Sequence, residues 1–166
     1  MMSTIQNLLK ELTEESAVTR KMLERTPAGQ LDWQPHEKSM SIRKLAGHIA
    51  ELPGWVSMTL KTNGLNFADQ AYQAPVWNSN SELLEIFEKS LAEAVASLET
   101  AKEEDLLPTW TLKNGEQVLM SKTKGEVIRH SMSQIVHHRA QLGVYLRLLD
   151  IPVPGSYGPS ADDPNF

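Results

Sequence analysis

The sequence predicts an all-α fold: a four-helix bundle with a long connection between helices 2 and 3 and a small β-hairpin between helices 3 and 4. Three observations lead there. Several stretches repeat apolar residues at helical spacing, so each can turn one stripe toward a shared core. The segment 61–78 contains Asn63-Gly64 and Pro75 and shows little periodicity, which makes it a connection of the length used for crossovers or lids. Asn114-Gly115 joins two short segments and is a strong hairpin signal. With 166 residues, 40% of them apolar, the chain can bury one core and is too short for two ordinary domains, so residues 1–166 read as a single domain.

Taken in order, the first helix is expected from Ser3 to Arg25, with Ile5, Leu8, Leu9, Leu12 and Met22 near helical spacing and Thr26-Pro27-Ala28-Gly29 ending it. Trp33 follows in an irregular stretch broken by Pro35 and is expected to plug the bundle end. The second helix starts at the N-cap Ser41, turns Ile42, Leu45, Ile49 and Leu52 inward, and is interrupted at Pro53-Gly54. Ser79 to Glu82 has capping-box spacing and opens the third helix, with Leu84, Phe87, Leu91, Ala94 and Leu98 as its seam. The hairpin is expected from Thr109 to Met120, and Thr123 with Glu126 caps the fourth helix. The tail from Ile151 is too rich in Pro and Gly to be helical. Its Ile151, Val153 and Tyr157 are expected to pack back across the bundle near the mouth of a site.

The fourth helix, from Gly125 to Asp150, organises the rest. At ~100° per residue, Val127, Ile135, His138, Leu142, Tyr145 and Leu149 share one face, which places an imidazole in the middle of a core-facing stripe. Met132, Val136 and Arg139 are expected to point elsewhere. Gln134 lies one turn before His138, the i, i+4 spacing by which one helix offers two side chains to one ion. His48 on the second helix lies ~60° off its inward stripe and reaches the same interior. The plainer reading of His138 is a hydrogen-bonded core residue. His130 and His137 form a neighbouring polar strip with Gln141, either solvated or orienting a ligand's imidazole. Glu51, three residues after His48, reads as a base or as a solvated flank residue. Arg139 reads as a partner for a carboxylate or as a holder of an anionic substrate. The four tryptophans and the methionines read as packing residues.

Composition excludes several classes. A net charge of −5 with no run of Lys or Arg argues against nucleic acid and against an anionic membrane surface as partners. Without cysteine there is no disulfide, thiolate ligand or Cys nucleophile, so any metal is held by N and O donors. The opening MMSTIQNLLKELTEE lacks the pattern of a secretory signal, and no run approaches ~18 apolar residues, so a cytoplasmic protein is expected.

Four segments carry a family resemblance: QPHEKSMSIR at Gln34 to Arg43, HIAELPGW at His48 to Trp55, HHRAQLGVYLRLLDIPVP at His137 to Pro154, and YGPSADD at Tyr157 to Asp163. Together and in this order they resemble the DinB-like (DinB/YfiT) four-helix bundle family over nearly the whole chain. The resemblance implies a divalent metal, Zn or Ni, held by three histidines. His48 and His138 match the first and third positions, and Gln134 stands at the second, where the family has histidine. A Gln amide oxygen is a weaker donor than imidazole toward such ions, so a weakened metal site at His48, Gln134 and His138 is expected. It further implies an enzyme of thiol S-transferase or hydrolase type acting on a small-molecule substrate, with a low-molecular-weight thiol as one candidate, and a homodimer. The alternative is a non-catalytic binding or stress-associated bundle whose metal site has decayed at Gln134.

Overall fold

In the computed structural model, which describes residues 2–69 and 72–164, local capping and apolar periodicity build five α-helices and one three-stranded sheet. Helix α1, Thr4–Glu24, begins where Ser3 Oγ accepts the Gln6 amide at 3.2 Å and Gln6 Oε1 accepts the Ser3 amide at 2.8 Å. That exchange satisfies two donors that no helical carbonyl can reach. Its inward stripe includes Leu8, Leu12 and Leu23. Trp33, in the irregular stretch that follows, is partly buried and meets Tyr145 edge-on at 5.5 Å.

The second predicted helix is two. Helix α2, Ile42–Glu51, opens on the Ser41 cap, and α3, Gly54–Lys61, starts after Pro53. Proline has no amide hydrogen to give Ile49, so the ladder lapses there and the chain restarts. Helix α4, Asn80–Thr100, opens on Ser79, whose hydroxyl accepts the Glu82 amide at 3.3 Å. Its seam is rotated slightly from expectation. Leu83 is fully buried, whereas Leu84 and Leu91 are partly so. Helix α5, Lys124–Leu148, starts from a complete Thr123–Glu126 capping box.

Strands β2, Thr109–Asn114, and β3, Gln117–Thr123, form the expected hairpin, which runs on past Met120 to Thr123. Gly115 takes φ 61° at the first position of the two-residue loop, the place where such a turn calls for glycine. The connection 61–78 is less plain than its composition suggests. Strand β1, Gly64–Asn66, pairs parallel with β2, setting Gly64 opposite Thr111. A Cβ at Gly64 would lie 2.5 Å from the Thr111 carbonyl oxygen, so only glycine permits the approach. The sheet order is β1-β2-β3. Farther along, Trp77 is fully buried and ties the connection to α2 by donating its indole N–H to the Arg43 carbonyl at 3.1 Å.

Helices α4 and α5 each pack on α1, α2 and α3, and two apolar clusters fill the space between them. One joins Ile42, Leu45, Ile49, Phe87 and Leu142; the other joins Leu8, Leu12, Val56, Leu98 and Ile128. Because α5 serves both, it buries two faces. Met132 and Arg139, expected to point away, are each only 2% exposed on the second face. The tail also departs from expectation. Ile151 and Val153 do pack on the first cluster, but Tyr157 crosses to α1, donating its hydroxyl to Glu15 Oε1 at 2.6 Å. None of the described tail residues lines the cavities beside His48. Among the described residues no helix is long and apolar enough to cross a membrane.

Candidate functional site

The site is built where α2 and α5 cross. Leu45 and Ile49 anchor α2 to the core, which leaves His48 half-buried on the flank and aimed at α5. His138 sits at the middle of α5, buried, and the two imidazoles meet edge to face with centroids 4.9 Å apart and planes at 74°. Both rings are held the same way. Glu51 Oε1 lies 2.8 Å from His48 Nδ1, and Gln141 Oε1 lies 2.9 Å from His138 Nδ1. A carboxylate or amide oxygen only accepts, so each Nδ1 carries the proton and donates. The Nε2 lone pair of each neutral ring is therefore the free one.

A further layer fixes these partners. The Tyr72 hydroxyl donates to the Glu51 oxygen that holds His48. Burial and the Glu51 carboxylate push that phenol well above its ordinary range, so it stays a donor. On the other side, Gln141 Nε2 lies 3.2 Å from His137 Nε2, so the amide donates there while its oxygen serves His138. Burial pushes the His138 imidazole below its ordinary value. The Gln141 bond opposes this, and the neighbouring His48 and His137 add to it.

Gln134, one turn before His138, lines the same cavity as His48. The two histidines that sequence spacing singled out are thus together, with the Gln134 amide at the same junction. Two imidazoles on one tetrahedral ion, at Zn–N distances near 2.0–2.1 Å, stand with ring centres roughly 5 Å apart. The observed ring separation, 4.9 Å, is of that order. The donor set is lean, however. Among the described residues no group of three or more His, Cys, Asp or Glu side chains is placed to hold a metal. Glu51 is engaged with His48 and Tyr72, and a third protein ligand would have to be Gln134.

His130 and His137 are exposed, and neither replaces Gln134. His137 instead steadies Gln141, which gives the polar strip an orienting role. Glu51 holds a ring rather than standing solvated, and Arg139 pairs with the Glu15 carboxylate at 2.7 Å rather than facing the site. Sequence reasoning missed Tyr72, which lies in an aperiodic connection and left no signal. It placed Glu51 three residues after His48 but missed that Gln141 follows His138 at the same spacing. That repeated spacing on two helices was legible.

Two cavities open from this junction. One, of about 490 Å³, lies between α5 and the hairpin; the other, of about 500 Å³, lies under the 61–78 connection beside Phe67 and Tyr72. His48 and Trp55 line both. Each is of the size that holds a small organic molecule.

Comparison with known proteins agrees with this architecture. The chain is 23% identical over 163 residues to the uncharacterized protein YrdA of Bacillus subtilis (strain 168), covering 98% of this chain and 93% of that one. The crystal structure of a DinB-like protein from Bacillus cereus ATCC 10987 superposes with TM-score 0.69 at 23% identity, covering 90% of this chain and 95% of that one. A mycothiol-dependent maleylpyruvate isomerase shares the fold more distantly, with TM-score 0.57 at 12% identity over 86% of this chain and 64% of the isomerase. Residues 1–165 match the DinB family model, and the chain belongs to the DinB family.

Proposed function

We propose that this protein is a divalent-metal-binding enzyme of thiol S-transferase or hydrolase type, with His48, Gln134 and His138 holding a Zn or Ni ion weakly. The observation that supports it is the matched pair of imidazoles, each clamped at Nδ1 so that Nε2 is free at 4.9 Å ring separation. Carboxylate or amide oxygens in that position are the usual means of orienting a ligating histidine and raising its basicity. When bound, the ion supplies Lewis-acid activation of a thiol or water. The chain's own contribution is positional. Glu51 and Gln141 fix the two rings, and Tyr72 and His137 fix those two in turn. This reading takes α2 and α3 as one helix interrupted at Pro53, hence a four-helix bundle, acting as a homodimer in the cytoplasm. A thiol co-substrate is in keeping with the mycothiol dependence of the distant structural neighbour.

A second reading rests on Gln134. With two imidazoles and one neutral amide, the site can equally be a decayed one in a non-catalytic bundle. Calorimetric titration of zinc into tag-free protein separates them. One ion per chain in the wild type, lost in His138→Ala, is expected. Equal binding by both would overturn the metal reading, and no binding by either would favour the decayed site.

A further inference from the structure

The cavity between the hairpin and α5 has a built wall. In a regular strand Leu119 and Met120 would face opposite sides of the sheet. Here Leu112 pairs with Met120 and the next residue, Lys113, pairs with Val118, so Leu119 is an extra residue in a β-bulge. The bulge turns Leu119 onto the side already occupied by Met120 and Lys122, and all three line the cavity. Bulges of this kind re-aim side chains beside sites. Leu52, Trp55 and Val127 add to its apolar lining.

Its charge is one-sided. Lys122 and His130 line the wall and no carboxylate does. Lys122 takes part in none of the ion pairs among the described residues. Glu126, close in sequence, caps α5, accepting the Thr123 amide at 2.8 Å, and lies outside this wall. With Glu103 it borders the adjoining cavity, which Lys122 and His130 also line, and the Thr123 bonds, with the Lys122 charge adding to them, hold its carboxyl below the ordinary range. At the inner end stand His48 and Gln134. His130 precedes Gln134 by one helical turn, about 6 Å.

We propose that this cavity binds a small apolar monoanion, a carboxylate with a hydrocarbon body. Its charge is taken by Lys122 and an N–H of His130, its body lies against Leu119, Met120 and Trp55, and its far end is presented to His48. The proposal deepens the enzymatic reading and rests on it for the ligand being a substrate; the binding itself needs no metal. A ligand with no charge would leave Lys122 idle, and a cation would meet Lys122 with no counter-charge in the wall.

The probes are 4-phenylbutyrate, 4-phenylbutylamine and 4-phenylbutanol, which share a body and differ in charge, titrated calorimetrically in EDTA and again with zinc. Wild-type protein is expected to bind the carboxylate at least tenfold more tightly than the amine. Lys122→Met should abolish the preference over the alcohol, and Lys122→Glu should weaken the carboxylate tenfold or more. Helical circular dichroism checks that each variant is folded. Leu119→Ala should weaken all three probes by a similar factor. Equal affinity for carboxylate and amine, or a preference untouched in the folded Lys122→Met protein, would overturn the proposal. Zinc binding without charge selection would overturn it alone; charge selection without zinc binding would leave the cavity assigned and remove the metal.

Discussion

On the side of α5 that faces α2, His138 is 9% exposed and has a partner for one ring nitrogen only. On the side that faces α1, its neighbour Arg139 is 2% exposed and its guanidinium is enclosed. Arg139 Nη1 donates to the Glu15 carbonyl and to Thr19 Oγ1, both at 3.1 Å, and lies 2.7 Å from the Glu15 carboxylate. The Tyr157 ring covers it at 5.3 Å. Two adjacent polar residues are thus buried for different ends. Where partners and a ring lid close around a buried charge, the group fastens elements together, here α1, α5 and the tail. Where the same helix leaves one ring nitrogen without a partner, the ring lies against His48, and it is His48 that lines both cavities. Burial alone does not distinguish the two residues; what does is whether the surroundings close over the group, as Glu15, Thr19 and the Tyr157 ring do over Arg139.

The largest test of this contrast is Arg139→Met. It strands the Glu15 carboxylate, which is 14% exposed, without its cation, and should cost about 3–5 kcal/mol of stability in urea unfolding. The double variant with Glu15→Leu should recover most of the loss, because the uncompensated charge goes with it. A loss under about 1 kcal/mol would place the pair among ordinary surface ion pairs and dissolve the contrast.

The open side is probed by Gln134→His. Imidazole is the better donor for a borderline ion, so zinc affinity should rise about tenfold, about 1.4 kcal/mol, with little change in unfolding midpoint. Unchanged affinity in a folded variant would mean that position 134 does not meet the ion.

The smallest effect is in pH. Burial lowers the His138 value in the folded state, so the unfolded chain takes up that proton first as pH falls. The neutral ring's contribution to stability is therefore complete above about pH 6.5 and drains away as pH falls from there through the folded value. In metal-free protein, His138→Gln should flatten the fall in stability between about pH 7.5 and pH 5.5. A slope as steep as the wild type would assign the acid sensitivity to other groups.

Where signals are local, the chain alone decided the outcome. Ser3, Ser41, Ser79 and Thr123 each cap a helix because the bond runs to an amide three residues on, within reach of any chain with those residues at that spacing. Pro53 ended α2, and Gly115 turned the hairpin, one residue later than the Asn114-Gly115 pair suggests, for equally local reasons. The candidate residues His48, Gln134 and His138 were legible from spacing and resemblance. Spacing also led to the expectation that they share one interior, but the edge-to-face contact of the His48 and His138 rings depends on how α2 crosses α5. Tertiary structure alone decided the rest. Strand β1 is three residues long and exists because β2 passes beside Gly64. Arg139 is buried because α5 faces two clusters, and a single-stripe reading of a helix allows one. Tyr157 crosses to α1 because Glu15 and Arg139 present an acceptor and a cation there. Leu119 faces the cavity because a bulge broke the alternation that its position would otherwise obey. Each of these outcomes depends on a contact between residues distant in sequence, and periodicity and capping report only on neighbours.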